Sequence, residues 1–485
     1  MIKKNYVILI VFISCFSSNI FVSSGTLDTS FNALGIQPGT ASTTIDGFTI
    51  DNSGYSVAIQ QDGKTVVAGY ADIGGAYNFA VARFNTNGTL DTSFNSGGAQ
   101  PGTASTTIDG FAIDNKGYSV AIQQDGKIVV AGTADIGGAY KLAVARFNID
   151  GTLDISFNSG GAQPGTASTT IDGFAINNTG NSVAIQQDGK IVVAGTADIG
   201  GAYNFAVARF NTNGTLDTSF NAAGTQPGTA STTIDNSTYN IGTSVAIQED
   251  GKIVVAGFAL IGGTFKFAVA RFNTNGTLDT SFNALGLQPG TVSTTIDGVA
   301  IDNEGNSVAI QQDGKIVVAG FALIGGTFKF AVARFNTNGT LDTSFNAAEI
   351  QPGTASTTID GVATDNKGYS VAIQQDGKIV VAGEAFVGGA YKFAVARFNT
   401  NGTLDASFNA AEIQPGTAST TIDNSTDNNF GKSVAIQQDG KIVVAGDAFI
   451  DGVTKFAVAR FNGDAIVAMI DPFALRLIEK YGPRL

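Results

Sequence analysis

The sequence predicts an all-β protein, a seven-bladed β-propeller of four-stranded antiparallel blades whose last blade is closed by the N-terminal strand. Three observations lead there. The string Ser-Val-Ala-Ile-Gln begins at residues 56, 119, 182, 244, 307, 370 and 433, so one unit recurs seven times at a spacing of 62 or 63. Each unit offers four short β-prone runs and no helical period. The chain also begins and ends at different phases of the unit. A period of this size marks an array in which each unit buries its faces against its neighbours. Four antiparallel strands per unit favour a closed ring over a linear array of β-modules.

Within the first complete unit, the runs Ser56 to Gln60 and Lys64 to Ala71 are separated by Asp62-Gly63. Asp-Gly between β-prone runs predicts a tight hairpin with both central residues at positive φ. Gly74-Gly75 then leads into a third run, Phe79 to Phe84. The second and third runs are apolar nearly throughout, as strands covered on both faces are. A long connection, Asn85 to Gly102, precedes the fourth run, Thr103 to Asp109. That run is β-prone yet polar, which suits an outer edge facing water. The first run, with small Ser56 and Ala58, suits the crowded rim of a central channel.

The two chain ends complement each other. Leu27 to Phe31 and Thr40 to Asp46 supply a connection and a fourth strand, while residues 433–437, 441–448 and 456–462 supply the first three. The N-terminal strand is therefore expected to complete the last blade, removing the open edges through which sheets aggregate.

Residues 1–24 differ in kind from the repeats that follow at 25–462. Lys3 and Lys4 precede an apolar run from Tyr6 to Phe16 and a small polar stretch, Ser17 to Ser24. This layout predicts a secretory signal peptide, and the run is too short to span a bilayer. Val22 and Ser24 suit cleavage before Gly25. A competing reading makes Phe12 to Cys15 a loose lipoprotein box with Cys15 acylated. Either way the protein is expected to be secreted, periplasmic or held at the cell surface. Beyond Gly463 the repeat stops, and Asp471-Pro472 through Gly482 predicts a short helix in a tail spanning 463–485.

The strings Ser-Val-Ala-Ile-Gln-Gln-Asp-Gly-Lys-Ile-Val-Val-Ala-Gly and Phe-Ala-Val-Ala-Arg-Phe-Asn-Thr-Asn-Gly-Thr-Leu-Asp-Thr-Ser-Phe resemble the delta-60 repeat family of bacterial proteins. The resemblance covers residues 25–462 and implies an exported or surface-associated β-propeller with no established activity. It departs from the commoner pattern in Gln-Gln before Asp-Gly, where proline is frequent, and in a longer Thr-rich insert.

Composition excludes much chemistry. Among 485 residues there are 0 histidines, 0 tryptophans and 1 cysteine, so histidine-based triads, His-ligated metals and imidazole switches are absent. No cofactor or metal is expected. A net charge of -13 argues against nucleic acid or an anionic membrane as partner.

Four sets of residues carry candidate roles. Arg83, Arg146, Arg209, Arg271, Arg334, Arg397 and Arg460 hold equivalent positions, as do Asp28, Asp91, Asp154, Asp217, Asp279, Asp342 and Asp405. A ring of cations suits an anion, but equal numbers of the two charges point to structural ion pairs. The run Asn85 to Asp91 places oxygen ligands around a glycine, yet it lacks the carboxylates of a calcium loop and reads better as a turn. Tyr77, Tyr140, Tyr203, Phe265, Phe328 and Tyr391 follow the glycine turns and present either a stacking platform for a ligand or packing across the hairpin. Finally, the second-to-third and fourth-to-first loops, which strand parity puts on one face, vary between copies, which favours that face for ligand contact.

Near-identical blades make asymmetric acid–base pairs hard to build. The expected function is therefore a non-enzymatic binding or adhesion scaffold with a protein or glycan ligand, its equivalent sites acting through avidity. A carboxylate-based glycosidase or lyase, and a passive self-associating surface component, are the alternatives.

Overall fold

The computed structural model describes residues 23–464, except 112, 175, 299–300 and 362–363. Cys15 of the alternative lipoprotein reading, the expected tail helix and nearly all of the expected signal peptide lie outside those residues.

Twenty-eight strands, numbered β1 to β28 in chain order, form seven four-stranded sheets with no helix among the described residues. In the first blade the order from axis to rim is β2 (Asn52–Ile59), β3 (Thr65–Asp72), β4 (Tyr77–Phe84) and β5 (Thr103–Thr106), all antiparallel. Strands equivalent to β2 touch one another around the ring and so line the axis. The last blade combines β26 (Asn429–Ile436), β27 (Ile442–Ile450), β28 (Val453–Phe461) and β1 (Thr40–Thr43). Its closing register runs from Thr40 opposite Ala459 to Thr43 opposite Phe456. The N-terminal segment contributes a turn as well as a strand. The amides of Asn32 in the last blade and Asn95 in the first donate to turn carbonyls of the following blade, Asn87 and Asp150; from the sixth blade the Asn409 amide donates to Ser24 of the N-terminal segment instead, at 2.7 Å.

Period-two alternation in the apolar strands divides each blade between two interfaces. Val66 and Ala68 face the second blade, where they meet Ile128, Val130 and Phe147, whereas Val67 faces the last blade and meets Val443 and Val458. Phe94, from the Leu-Asp-Thr-Ser-Phe segment, fills the rim side of the first interface and is fully buried. Each such side chain stabilises the interface by roughly 1.5–3 kcal/mol. Hydrogen bonds add specificity: Asp46 of the closing connection accepts from Thr103 and Ser105 of the next blade at 3.1 and 2.5 Å.

Three local expectations change. The Asp-Gly hairpin has positive φ only at Gly63, because Gln60 and Lys64 close a three-residue loop, the geometry of a type I turn followed by a left-handed glycine. The fourth strand is short and largely buried, with Thr103 and Ala104 at 0% and 2% exposure, since the neighbouring Asp46 loop covers it. The first strand starts four residues earlier than predicted, because Asn52 to Gly54 continue the ladder beyond a β-bulge at Tyr55.

Glycine sets the spacing at the axis. A Cβ placed on Gly54 would collide with the Gly446 carbonyl of the adjacent blade, and one on Gly117 with Gly69. The same inner-strand contact recurs at Gly180, Gly242, Gly305, Gly368 and Gly431, so two rings of glycine allow backbone to meet backbone around the channel. Gly117→Ala is expected to cost roughly 1–3 kcal/mol in denaturant melts. Gly160→Ala, where a Cβ meets nothing within 4 Å, should stay within about 0.5 kcal/mol. Removing residues 23–46 leaves β28 with a bare edge and should lower the melting temperature sharply; an unchanged melt would contradict closure by the N-terminal strand.

Candidate functional site

The strands run alternately between two faces. One carries the Gln-x-Asp-Gly-Lys turns and the Leu-Asp-x-Ser-Phe segments; the other carries the glycine hairpins and the loops that enter each inner strand.

On the first face the seven arginines and seven aspartates pair within the protein. Arg83 Nε lies 2.7 Å from Asp91, Lys64 Nζ lies 2.9 Å from the same carboxylate, and the guanidinium sits 4.5 Å from the Phe94 ring centroid. Arg83 Nη1 also donates to the Ile149 carbonyl of the next blade. Equivalent pairs are Arg146 with Asp154, Arg209 with Asp217, Arg271 with Asp279, Arg334 with Asp342 and Arg397 with Asp405. Arg460 pairs with Asp28 across the closure. Burial alone would raise the Asp91 pKa, but the Ser93 hydroxyl, Lys64 and Arg83 together hold it down at about 2. At Arg397 the chain has left the repeat, and the Asp464 carboxylate takes the place of the neighbouring turn carbonyl at 2.8 Å. Clefts open between adjacent turns here. One of about 410 Å³ is lined by Gln60, Asp62, Thr86, Gln437, Asp439 and Arg460. A second, about 830 Å³, has nearly the same walls four blades further on. The Asn85 to Asp91 run is a turn in which Asn87 Oδ1 accepts from the Thr89 amide and hydroxyl. No cluster of three or more potential metal ligands occurs among the described residues.

On the second face the aromatic series does not form one platform. Tyr77, Phe265, Phe328 and Tyr391 each pack on a ring of their own hairpin, Tyr70, Phe258, Phe321 and Phe386, at 5.1 to 5.4 Å. Tyr203 packs on Tyr239. Three hydroxyls donate to loop carboxylates: Tyr77 to Asp51, Tyr140 to Asp114 and Tyr391 to Asp365. That bond, with some burial, raises the Tyr391 pKa to about 12. The rings are half-buried except Tyr140, which is 38% exposed.

A site missed by the sequence reading lies between these rings and the axis. The bulge ejects one residue per inner strand: Tyr55, Tyr118, Asn181, Thr243, Asn306, Tyr369 and Lys432. Several reach the next blade. Asn181, Thr243 and Asn306 donate to the inner-strand carbonyls of Gly242, Gly305 and Gly368. Tyr55 and Tyr118 meet edge-to-face at 5.1 Å, and Lys432 Nζ lies 3.8 Å from the Tyr55 centroid while pairing with Asp447. Beside them on the second strands stand Tyr70, Thr133, Thr196, Phe258, Phe321, Glu384 and Asp447. Glu384 is 7% exposed and accepts from the Tyr369 hydroxyl at 3.0 Å. Burial pushes its pKa up to about 7 against the pull of Tyr369, Lys367 and Lys432. The available signal was the two variable letters inside otherwise repeated strings, Gly-x-Ser-Val-Ala-Ile-Gln and Val-Ala-Gly-x-Ala.

A closed ring of seven four-stranded blades whose channel mouth on the hairpin face is lined by unlike residues defines a β-propeller. Seven segments, 60–94, 123–157, 186–220, 248–282, 311–345, 374–408 and 437–464, match the family described as "Domain of unknown function (DUF5122) beta-propeller". The chain thus carries, blade after blade, the repeats of an uncharacterised β-propeller family. No curated protein matches. Similar solved structures include the polysaccharide lyase Uly1, at 11% identity and TM-score 0.44, covering 86% of this chain and 91% of that one. Another is Sqt1 from Chaetomium thermophilum, at 14% and 0.42, covering 84% and 83%. The Trypanosoma rangeli sialidase in complex with the inhibitor DANA matches at 10% and 0.38, covering 91% and 62%. These enzymes and non-enzymes carry no argument about activity.

The elevated Glu384 pKa makes a signed prediction. Folding holds its proton up to about pH 7, so this group's contribution to stability is full below the ordinary glutamate range and is lost as pH rises through 7. Glu384→Gln should therefore be more stable than the parent at pH 8, by roughly 2–3 kcal/mol at most, with the difference shrinking through pH 5 and gone below the ordinary glutamate range in thermal melts.

Proposed function

We propose that this chain is a non-enzymatic binding scaffold, exported from the cell, that docks a protein or glycan ligand on the face carrying the glycine hairpins. Its repeats are of the delta-60 kind. The supporting observation is where the blades stop being alike. The opposite face repeats one Gln-x-Asp-Gly-Lys turn and one Arg–Asp–Lys cluster around the ring, whereas the bulge and second-strand positions place four tyrosines, two phenylalanines, a lysine and two buried carboxylates around one channel mouth. Half-buried tyrosines present large, rigid, amphipathic contact area at low entropic cost. Tyr55, Tyr70 and Tyr118, in mutual contact, form the aromatic side of that mouth.

A carboxylate-based glycosidase or lyase draws on one feature, the near-neutral Glu384 beside Tyr369, because a carboxyl titrating near 7 suits proton transfer. The two readings separate experimentally. On glycan and peptide arrays, the ring should retain specific ligands that are lost from Tyr55→Ala and Tyr118→Ala and kept by Glu384→Gln. Turnover of a retained glycan that disappears in Glu384→Gln would replace the scaffold with the enzyme. Retention unaffected by either tyrosine change would move the ligand elsewhere.

A further inference from the structure

Equivalent notches between blades act as internal controls for one another. In two of them a lysine lies over an aromatic pair of the preceding blade. Lys116 Nζ is 4.6 Å from the Tyr77 centroid and 5.6 Å from that of Tyr70. Lys367 Nζ is 5.0 Å from Phe328 and 5.8 Å from Phe321. Each ammonium is also held by the aspartate two residues earlier, Asp114 at 3.0 Å and Asp365 at 3.3 Å. Ring faces carry negative potential and the carboxylate adds a full charge, so each notch is built to hold an ammonium ion, and the protein supplies its own.

The notch between the fourth and fifth blades keeps the rings and the aspartate but not the cation. Phe258 and Phe265 occupy the positions of Phe321 and Phe328 and meet edge-to-face at 5.4 Å, and Tyr239 is 5.9 Å from Phe265. Asp302 stands where Asp114 and Asp365 stand. The lysine position is Glu304, on the residue before the inner-strand glycine, as Lys116 and Lys367 are. Both carboxylates are half-buried, and neither side chain has a hydrogen bond or ion pair with another described residue. Burial and Asp302 both disfavour the ionised form of Glu304, with Lys367 as the opposing cation. Two carboxylates with no hydrogen bond or ion pair of their own thus stand at the positions from which, in the two other notches, a lysine covers the aromatic pair and an aspartate holds it.

We infer that this notch binds an organic ammonium ion, a primary amine such as a lysine side chain of the docked ligand, over Phe258 and Phe265 and between Glu304 and Asp302. The cation that the neighbouring units provide in cis is here provided by the ligand. This rests on the hairpin face being the docking face and adds to it the chemistry of one subsite.

The probe is n-butylammonium chloride, with n-butanol as its neutral counterpart, titrated against the whole ring by NMR at low salt. Saturable butylammonium binding is expected, weakened about tenfold by Glu304→Gln and by Phe265→Ala. It should be abolished in Glu304→Lys, which restores the ammonium of the other notches and should melt no lower than the parent. Butanol should not distinguish parent from Glu304→Gln. Absence of saturation, or equal butylammonium affinity in Glu304→Gln, overturns the inference. In either case array capture that still depends on Tyr55 and Tyr118 leaves the scaffold reading standing, so the two can fail separately.

Discussion

Everything in this ring depends on backbone meeting backbone at its axis. The inner strand of each blade approaches the second strand of the preceding blade so closely that Gly54 faces the Gly446 carbonyl where no side chain fits, and the contact repeats at every interface. Wedge-shaped packing follows from it. With only glycine at this contact, the blades splay outward, and larger side chains fill the widening gap, first valine and alanine, then Phe79, Phe94 and Phe147. The same pinch explains the bulge at Tyr55. An inner strand that must pass a neighbouring backbone at Gly54 and then return to the ladder at Ser56 sheds one residue from the pairing, and that residue is free to vary.

The division of labour between the two faces comes from this geometry. On the turn face, each arginine links its own aspartate, the ring of a phenylalanine and a carbonyl of the next blade, so the cluster is a joint between units. A joint used at every interface cannot change in one copy without misfitting its neighbour. Even the departure at the chain ends preserves it: Asp464 takes over from a turn carbonyl at Arg397, and Ser24 replaces another at Asn409. The bulge residues bear no such constraint. They contact the next blade through whatever they carry, an amide in Asn181, a ring in Tyr55 or an ammonium in Lys432.

Fold and closure were legible in the sequence because they rest on periodic signals: the recurring Ser-Val-Ala-Ile-Gln, the Asp-Gly turn and the offset between the chain ends. Features that depend on a neighbouring blade were not. The fourth strand, polar in composition, reads as a solvent edge, but Asp46 of the adjacent unit covers it through Thr103 and Ser105, and nothing local to Thr-Ala-Ser-Thr announces that partner. The φ of Asp62 is not legible locally because a two-residue and a three-residue hairpin share the Asp-Gly pair, and the closing partners Gln60 and Lys64 decide between them. The aromatic series at Tyr77 was visible as a repeat, whereas the channel-mouth residues hide in the letters that do not repeat.

That last contrast has a physical reading. In a ring of equivalent units, a repeated residue is presented to seven equivalent environments, so its role is the one that all seven interfaces share, and a shared role is structural. Specific recognition of one asymmetric ligand has to come from positions where equivalence is broken and where breaking it leaves the interface intact. Ser53, Lys116, Thr179, Ile241, Glu304, Lys367 and Phe430 form one such series: each precedes an inner-strand glycine that fixes the backbone, while its own side chain, serine through phenylalanine, is set by no common partner. The glycine contact that makes the blades alike is thus also what lets the residue beside it differ.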